Sequence, residues 1–286
     1  MSNWRVEYGW RLAWPEREES RVTLGFDCHA HVYAQVVENN GSNYRPSRPA
    51  PLHEWQAHLM ACGLRGGVLV QPSFLGHDNR ELLRILGQLG EDYRGVVQLP
   101  KDTSLTEMRQ LDAAGIVGVR WNLIERRREL PDLNDPQWID FLDRLKVMAW
   151  HLELHLEGNR LPELLPALHE HGVNLVIDHL GLPNEPRPSA DDGFRLLLQT
   201  ATSGRTWVKL SAPYRSPVRD LRPHVGALLN ELGPDRLVWG SDWPWTRHEG
   251  KHDYPATLDW LAGWVHDDDD RRVILNDSPR RLFRLD

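Results

Sequence analysis

The 286-residue chain is 40% hydrophobic with a formal net charge of −7, enough apolar material for a large core and too acidic overall for a nucleic-acid partner, which needs clustered Lys and Arg. No apolar run reaches the roughly 20 residues of a membrane span, and "MSNWRVEYGW" places charges where a signal peptide needs its apolar segment, so the expected location is cytoplasmic. Two cysteines, Cys28 and Cys62, are too few for a disulfide framework and are expected to stay reduced.

Residues 1–23, with Trp4, Trp10 and Trp14, read as an extension ahead of the first strand, and residues 24–286 as one domain. Strand signals follow at Leu24–Ala30, Gly67–Gln71, Gly95–Leu99, Ile116–Asn122, Trp150–Leu156, Val173–Asp178, Thr206–Ser211 and Arg236–Ser241. Segments with helical spacing separate them, among them "DPQWIDFLDRLKVMAW" and "RDLRPHVGALLNELG", the latter stopped by Gly233 and Pro234. Eight strand-then-helix units match an α/β fold of the (β/α)8 TIM-barrel type, typically about 250 residues long. An open doubly wound sheet is the alternative.

On a barrel strand alternate residues point inward, and the active site forms where the C-terminal strand ends meet their loops. "LGFDCHAHVY" then turns Asp27, His29 and His31 inward, and Cys28 and Ala30 toward the helices. Alone, a His-x-His is equally consistent with two buried, hydrogen-bonded histidines. Other strand ends add to it. "HLELHLEG" alternates, with His151, Glu153 and His155 on one face and leucines on the other; "NLVIDHLG" ends in Asp178 and His179; "RLVWGSDWPW" ends in Asp242. Four imidazoles and a carboxylate at strand ends suit a divalent cation or a proton-transfer site. The "DDDD" at 267–270 reads as the start of a surface helix, where negative charge suits the N-terminal dipole.

The segments "DCHAHVY", "VLVQPSFLGHDN", "GVRWNL", "VIDHLG", "WVKLSAPYR" and "WGSDWP" resemble the amidohydrolase superfamily, in the branch of 2-pyrone-4,6-dicarboxylate lactonases and related lactone hydrolases. The resemblance implies His29, His31, His179 and Asp242 as the catalytic core, with His155 a further metal ligand in metal-dependent members. It also implies Arg120, Arg126 and Arg215 as carboxylate binders in aromatic-compound catabolism. Tyr44 and Gln71 are further candidates to line the pocket.

Two departures refine the expectation. The pyrone dicarboxylate lactonases act without metal and carry tyrosine at the position of His155, so histidine there favours a metal. They carry arginine where "DHLGL" has Leu182, which removes one carboxylate contact. The fourth strand ends without a lysine, so no carbamylated-lysine bridge is expected and any metal site is mononuclear. The expected activity is hydrolysis of a small anionic cyclic ester, with Asp242 as general base and one cation, zinc or manganese, bound by some of His29, His31, His155, His179 and Asp242. Metal-independent action and a homo-oligomeric state stay open. A non-oxidative decarboxylase of the same superfamily and a silent barrel binding an anionic metabolite are the alternatives.

Overall fold

The computed structural model describes residues 25–36, 44–124 and 129–285. The Trp-rich extension and Arg126 to Arg128 lie outside those residues. Among them, eight strands alternate with helices along the chain: β1 (Gly25–Ala30), α1 (Leu52–Ala61), β2 (Leu64–Val70), α2 (Arg80–Leu86), β3 (Tyr93–Val97), α3 (Leu105–Ala113), β4 (Ile116–Asn122), α4 (Pro136–Val147), β5 (His151–His155), α5 (Leu161–His171), β6 (Asn174–Ile177), α6 (Asp192–Ala201), β7 (Thr206–Leu210), α7 (Arg222–Leu232), β8 (Leu237–Trp239) and α8 (Tyr254–Trp264). Each strand pairs in parallel with the next, in the order β1 to β8. The ring closes where the chain after β8 meets β1: His31 N donates to Trp243 O at 2.8 Å, and Asp242 N to His29 O at 2.8 Å. Gly240 makes this seam tight, because a β-carbon there would lie 2.6 Å from His29 Cβ. The fold is the (β/α)8 barrel that the strand spacing predicts.

Local chemistry explains the element ends. Ser104 and Glu107 form a reciprocal capping box on α3, and Asp135 and Asp191 cap α4 and α6. Asp267 accepts from Asp269 N and Asp270 N and so starts the short helix α9 (Asp268–Arg272), as the acidic run predicts. The third strand sits two residues earlier than the sequence spacing indicates. It ends at Val97 because the amide of Gln98 donates to the Asn79 side chain at 3.3 Å instead of continuing the ladder.

Strand leucines and valines facing α1–α8 form the main core, with the buried Trp55, Trp150, Trp239 and Trp243. A second apolar cluster, Phe26, Cys28, Val68, Val70, Val96, Val117 and Val238, is joined by Phe283 and Leu285 at the end of the chain. Here the alternation expected of β1 fails. Its register against β2 shifts between Asp27 and Ala30, a bulge that puts both Cys28 and His29 toward the barrel axis. Asp27 instead faces the helices, accepting from Trp55 Nε1 on α1 at 2.9 Å, Tyr254 OH on α8 at 2.7 Å and Ser241 Oγ at 2.6 Å. It ties β1 to the loop after β8 and takes no place at the mouth.

No helix of the described residues is long and apolar enough to cross a membrane.

Candidate active site

The strand ends deliver their polar side chains to one place. Nε2 of His29 and Nε2 of His31 lie 3.3 Å apart, and Asp242 Oδ1 is 3.5 Å from the first and 3.6 Å from the second. All three side chains are buried. His179, from the turn after β6, packs edge-on against His29 with ring centroids 5.0 Å apart. Backbone geometry at the mouth is unusual: His179, Leu180, Leu182, Ala212, Asp242, Trp245 and Arg247 all have positive φ. Non-glycine residues carry a cost in that region and tend to persist where function holds them.

The environment of Asp242 divides its two oxygens. Oδ2 accepts from Tyr214 OH at 2.5 Å and from Arg215 Nε at 2.7 Å, whereas Oδ1 has no hydrogen-bond partner among the described residues. Burial favours the protonated acid, but the Arg215 guanidinium, then His179, outweigh it and hold the Asp242 carboxyl well below the usual range. Burial, reinforced by the Asp242 charge, pushes the Tyr214 hydroxyl well above its ordinary value, so it stays a donor.

Beneath this layer lies a buried charge network. Lys209 on β7, fully buried, contacts Glu153 Oε2 at 2.5 Å, His29 Nδ1 at 2.9 Å and Asp178 Oδ1 at 3.5 Å. Arg120 on β4 reaches Asp178 Oδ2 at 2.8 Å and Glu153 Oε1 at 3.2 Å. Two cations and two carboxylates balance one another away from water, and removing any one would strand a buried charge. Burial, then the adjacent Asp178, pushes Glu153 up to about 7. Asp178, despite burial, is held well below its usual range by Arg120 and then His29. Burial drives His29, His155 and His179 well below the ordinary histidine value, aided by Lys209 at His29 and by Arg120 at His155.

Above Asp242 opens a cavity of about 340 Å³, lined by His31, Tyr44, Ser73, Phe74, Arg120, Asn122, His155, Leu182, Tyr214, Arg215, Thr246, Arg247 and His248, among others. Its size suits a small ring. Tyr44 lines it, with the Arg247 guanidinium over its ring at 5.5 Å. Gln71 is absent from this lining; its Nε2 donates to Asp78 O at 2.8 Å and Gly76 O at 3.3 Å, bracing the loop before α2. Arg120 and Arg215 both line the cavity, and both are already ion-paired with carboxylates of the protein. Lys209, Tyr214, Ser211 and Ser241 are not foreseen by the sequence reading. The lysine has a signal, a charged residue inside the apolar strand "TWVKL".

The donor set fits a metal. Tetrahedral bonds of about 2.0–2.1 Å imply ligand-to-ligand edges of about 3.3–3.4 Å, close to the separations of His29 Nε2, His31 Nε2 and Asp242 Oδ1 given above. Nδ1 of His31 lies 2.8 Å from Val70 O, so it donates there and leaves the lone pair on Nε2. Nε2 of His179 is buried without a hydrogen-bond partner among the described residues, and His29, His179 and Asp242 offer atoms within 4.8 Å of one another.

The same barrel is found among known proteins. A 2-pyrone-4,6-dicarboxylate hydrolase from Comamonas testosteroni is 27% identical, over 99% of this chain and 98% of its own. A 4-sulfomuconolactone hydrolase from Hydrogenophaga intermedia is 28% identical, over 90% and 88%. The crystal structure of a Pseudomonas putida protein, provisionally a 2-pyrone-4,6-dicarboxylic acid hydrolase, superposes with a TM-score of 0.84 at 36% identity, covering 92% of this chain and 98% of that one. The amidohydrolase family model matches residues 26–285. With the barrel complete and the model matched across nearly all of it, the chain belongs to the amidohydrolase family.

Proposed function

We propose that this protein is a hydrolase that opens a carboxylate-bearing lactone by attack of water, with Asp242 as general base and one divalent cation, zinc or manganese, held by His29, His31, His179 and Asp242. The observation that carries it is the asymmetry of Asp242: one oxygen is locked by Tyr214 and Arg215 and the other is bare beside His29 and His31. A carboxylate kept ionised and aimed at imidazoles is what a proton acceptor at a hydrolytic centre needs. The names of the relatives support the substrate class, since a pyrone dicarboxylate and a sulfomuconolactone are both anionic lactones.

When bound, the cation supplies polarisation of the lactone carbonyl and makes water more acidic. Asp242 Oδ1 accepts the water proton as the oxygen attacks the carbonyl carbon. The ring oxygen then leaves and takes that proton back from Asp242. The balance is one lactone and one water in, one carboxylic acid and one hydroxyl out. Tyr214 and Arg215 keep the carboxylate from rotating between the two transfers. Arg215 and Arg247 supply positive potential for the substrate's carboxylate, and Tyr44 contributes a wall.

The test is product analysis on a panel of mono- and dicarboxylated lactones, before and after chelation. Ring opening with one acid released per turnover, lost on stripping and restored by zinc or manganese, is the expected result. Release of carbon dioxide would assign a decarboxylase, and binding without turnover a silent barrel. Full activity in stripped protein would remove the cation from the reaction.

A further inference from the structure

We infer that Arg120 is a positioning residue that fixes His155 as a hydrogen-bond donor into the cavity and keeps it out of the metal-ligand set. The donor's target, an oxygen of the bound lactone, rests on the function proposed above; the tautomer does not.

Arg120 and His155 come from neighbouring strands, with Asn122 of β4 paired to His155 of β5. An Arg120 terminal nitrogen lies 3.0 Å from His155 Nδ1. A guanidinium has only donors, so Nδ1 must accept. The ring is therefore neutral with its proton on Nε2, since an N–H at Nδ1 would meet another N–H. His155 Nε2 is buried, has no hydrogen-bond partner among the described residues, and belongs to a side chain that is 5% exposed and lines the cavity.

His31 shows the opposite arrangement. Its Nδ1 faces a carbonyl oxygen, so its Nε2 carries a lone pair ready for a cation. His29 also has a donor, Lys209, at Nδ1, but Asp178 Oδ1 at 3.4 Å and Glu153 Oε1 at 3.6 Å stand ready to accept a proton there. Among the described residues no carboxylate oxygen lies within 4.0 Å of a His155 ring nitrogen, so the alternative tautomer has no such acceptor. Arg120 cannot turn away from it without leaving Asp178 and Glu153 short of a counter-charge. By distance alone His155, Asp178 and His179 could share an ion; the direction of the Arg120 hydrogen bond decides against His155. Arg120 is thereby occupied inside the protein, and an anionic ring would meet the His155 N–H in its place.

Full-length protein labelled with ¹⁵N-histidine, with the His155 signal assigned by its loss in His155→Gln, reports the tautomer directly. The Nε2–H form is expected both without metal and with one equivalent of zinc chloride. His155→Gln and His155→Leu should both bind zinc within about threefold of wild type. On the best lactone of the panel, glutamine, which keeps an N–H donor, should retain kcat/KM within about tenfold, whereas leucine should lose about a hundredfold. Loss of the Nε2 proton on zinc addition, or a zinc affinity more than about tenfold weaker in His155→Leu, would overturn the inference. In Arg120→Met the His155 signal should become a mixture of tautomers, and an unchanged pure Nε2–H form would remove Arg120 as its cause. If that variant does not fold, the wild-type spectra and the His155 pair still decide. If wild type opens no lactone while the spectra and zinc binding are as expected, the proposed function fails and the tautomer assignment stands.

Discussion

Arg215 holds Asp242 through Nε and a terminal nitrogen, each 2.7 Å from Oδ2. The pairing ranks Arg215 first as the group that keeps the base ionised and only second as a clamp on the substrate. Removing the guanidinium takes away the largest interaction that opposes burial, so the Asp242 carboxyl should rise from its lowered position. We therefore expect Arg215→Gln to move the acid limb of the kcat/KM profile to higher pH and to lower kcat by about 10²-fold. A rise in KM with kcat and the acid limb unmoved would make Arg215 a substrate clamp alone.

Asp242→Asn keeps the shape and removes the base. Losing a general base costs about 10²- to 10⁴-fold in rate. Because Asp242 Oδ1 also sits at ligand spacing from His29 and His31, zinc affinity should fall with it, by about tenfold or more. Rate and metal content measured on the same preparation separate the two effects. Near wild-type turnover would shift the role to Glu153 or Asp178.

Much of this was legible beforehand, for a physical reason: a barrel strand repeats every two residues, so "HLELHLEG" declares which of its side chains share a face. His29, His31, His155, His179 and Asp242 were visible as polar residues at the ends of apolar runs. The bulge in β1 was not, because an extra residue in a strand leaves no mark in composition, and it sends Asp27 to the helices. Nor does an arginine in a sequence say whether its partner is a ligand or a carboxylate of the same chain. The family resemblance marks Arg120 and Arg215 as carboxylate binders, and each is paired internally with acids distant in sequence. Gln71 shows the same limit: its place at a strand end suggests pocket lining, and its side chain braces a loop.

Stability should depend on pH in a sense fixed by the buried histidines. Burial lowers His29, His155 and His179 well below the ordinary value of about 6.5, and His151 to about 3. Below pH 6.5 the unfolded chain binds protons at these sites and the folded one does not, so their contribution, complete above 6.5, is lost as pH falls. Each such site contributes a slope of up to about 1.4 kcal/mol per pH unit. Glu153, raised to about 7, works in the opposite sense, its contribution being lost as pH rises through 7. Burial also raises the Asp27 carboxyl, in the same sense as Glu153, but four histidines outnumber these two acids, so metal-stripped protein should melt about 5 °C or more lower at pH 5.5 than at pH 7. A flat or rising Tm over that interval would show that these histidines are not held neutral.

Leu182 sets the last prediction, about substrate charge. It is 5% exposed, lines the cavity and occupies the left-handed region at φ 47°. Arginine there would meet the same backbone penalty as leucine, so Leu182→Arg adds a cation to the wall without a new conformational cost. A hydrogen bond to a charged group is worth about 1.5–3 kcal/mol, or one to two decades in binding. Wild type should accordingly favour a monocarboxylated, muconolactone-like ring over the pyrone dicarboxylate. Leu182→Arg should tilt the ratio of kcat/KM values toward the dicarboxylate by about tenfold or more. The ratio is the quantity to measure, because a general loss of fold or metal lowers both values and leaves it unchanged. A wild type that already prefers the dicarboxylate by about tenfold would mean that another cation fills this role, and Arg247, on the same cavity, is the residue to replace next.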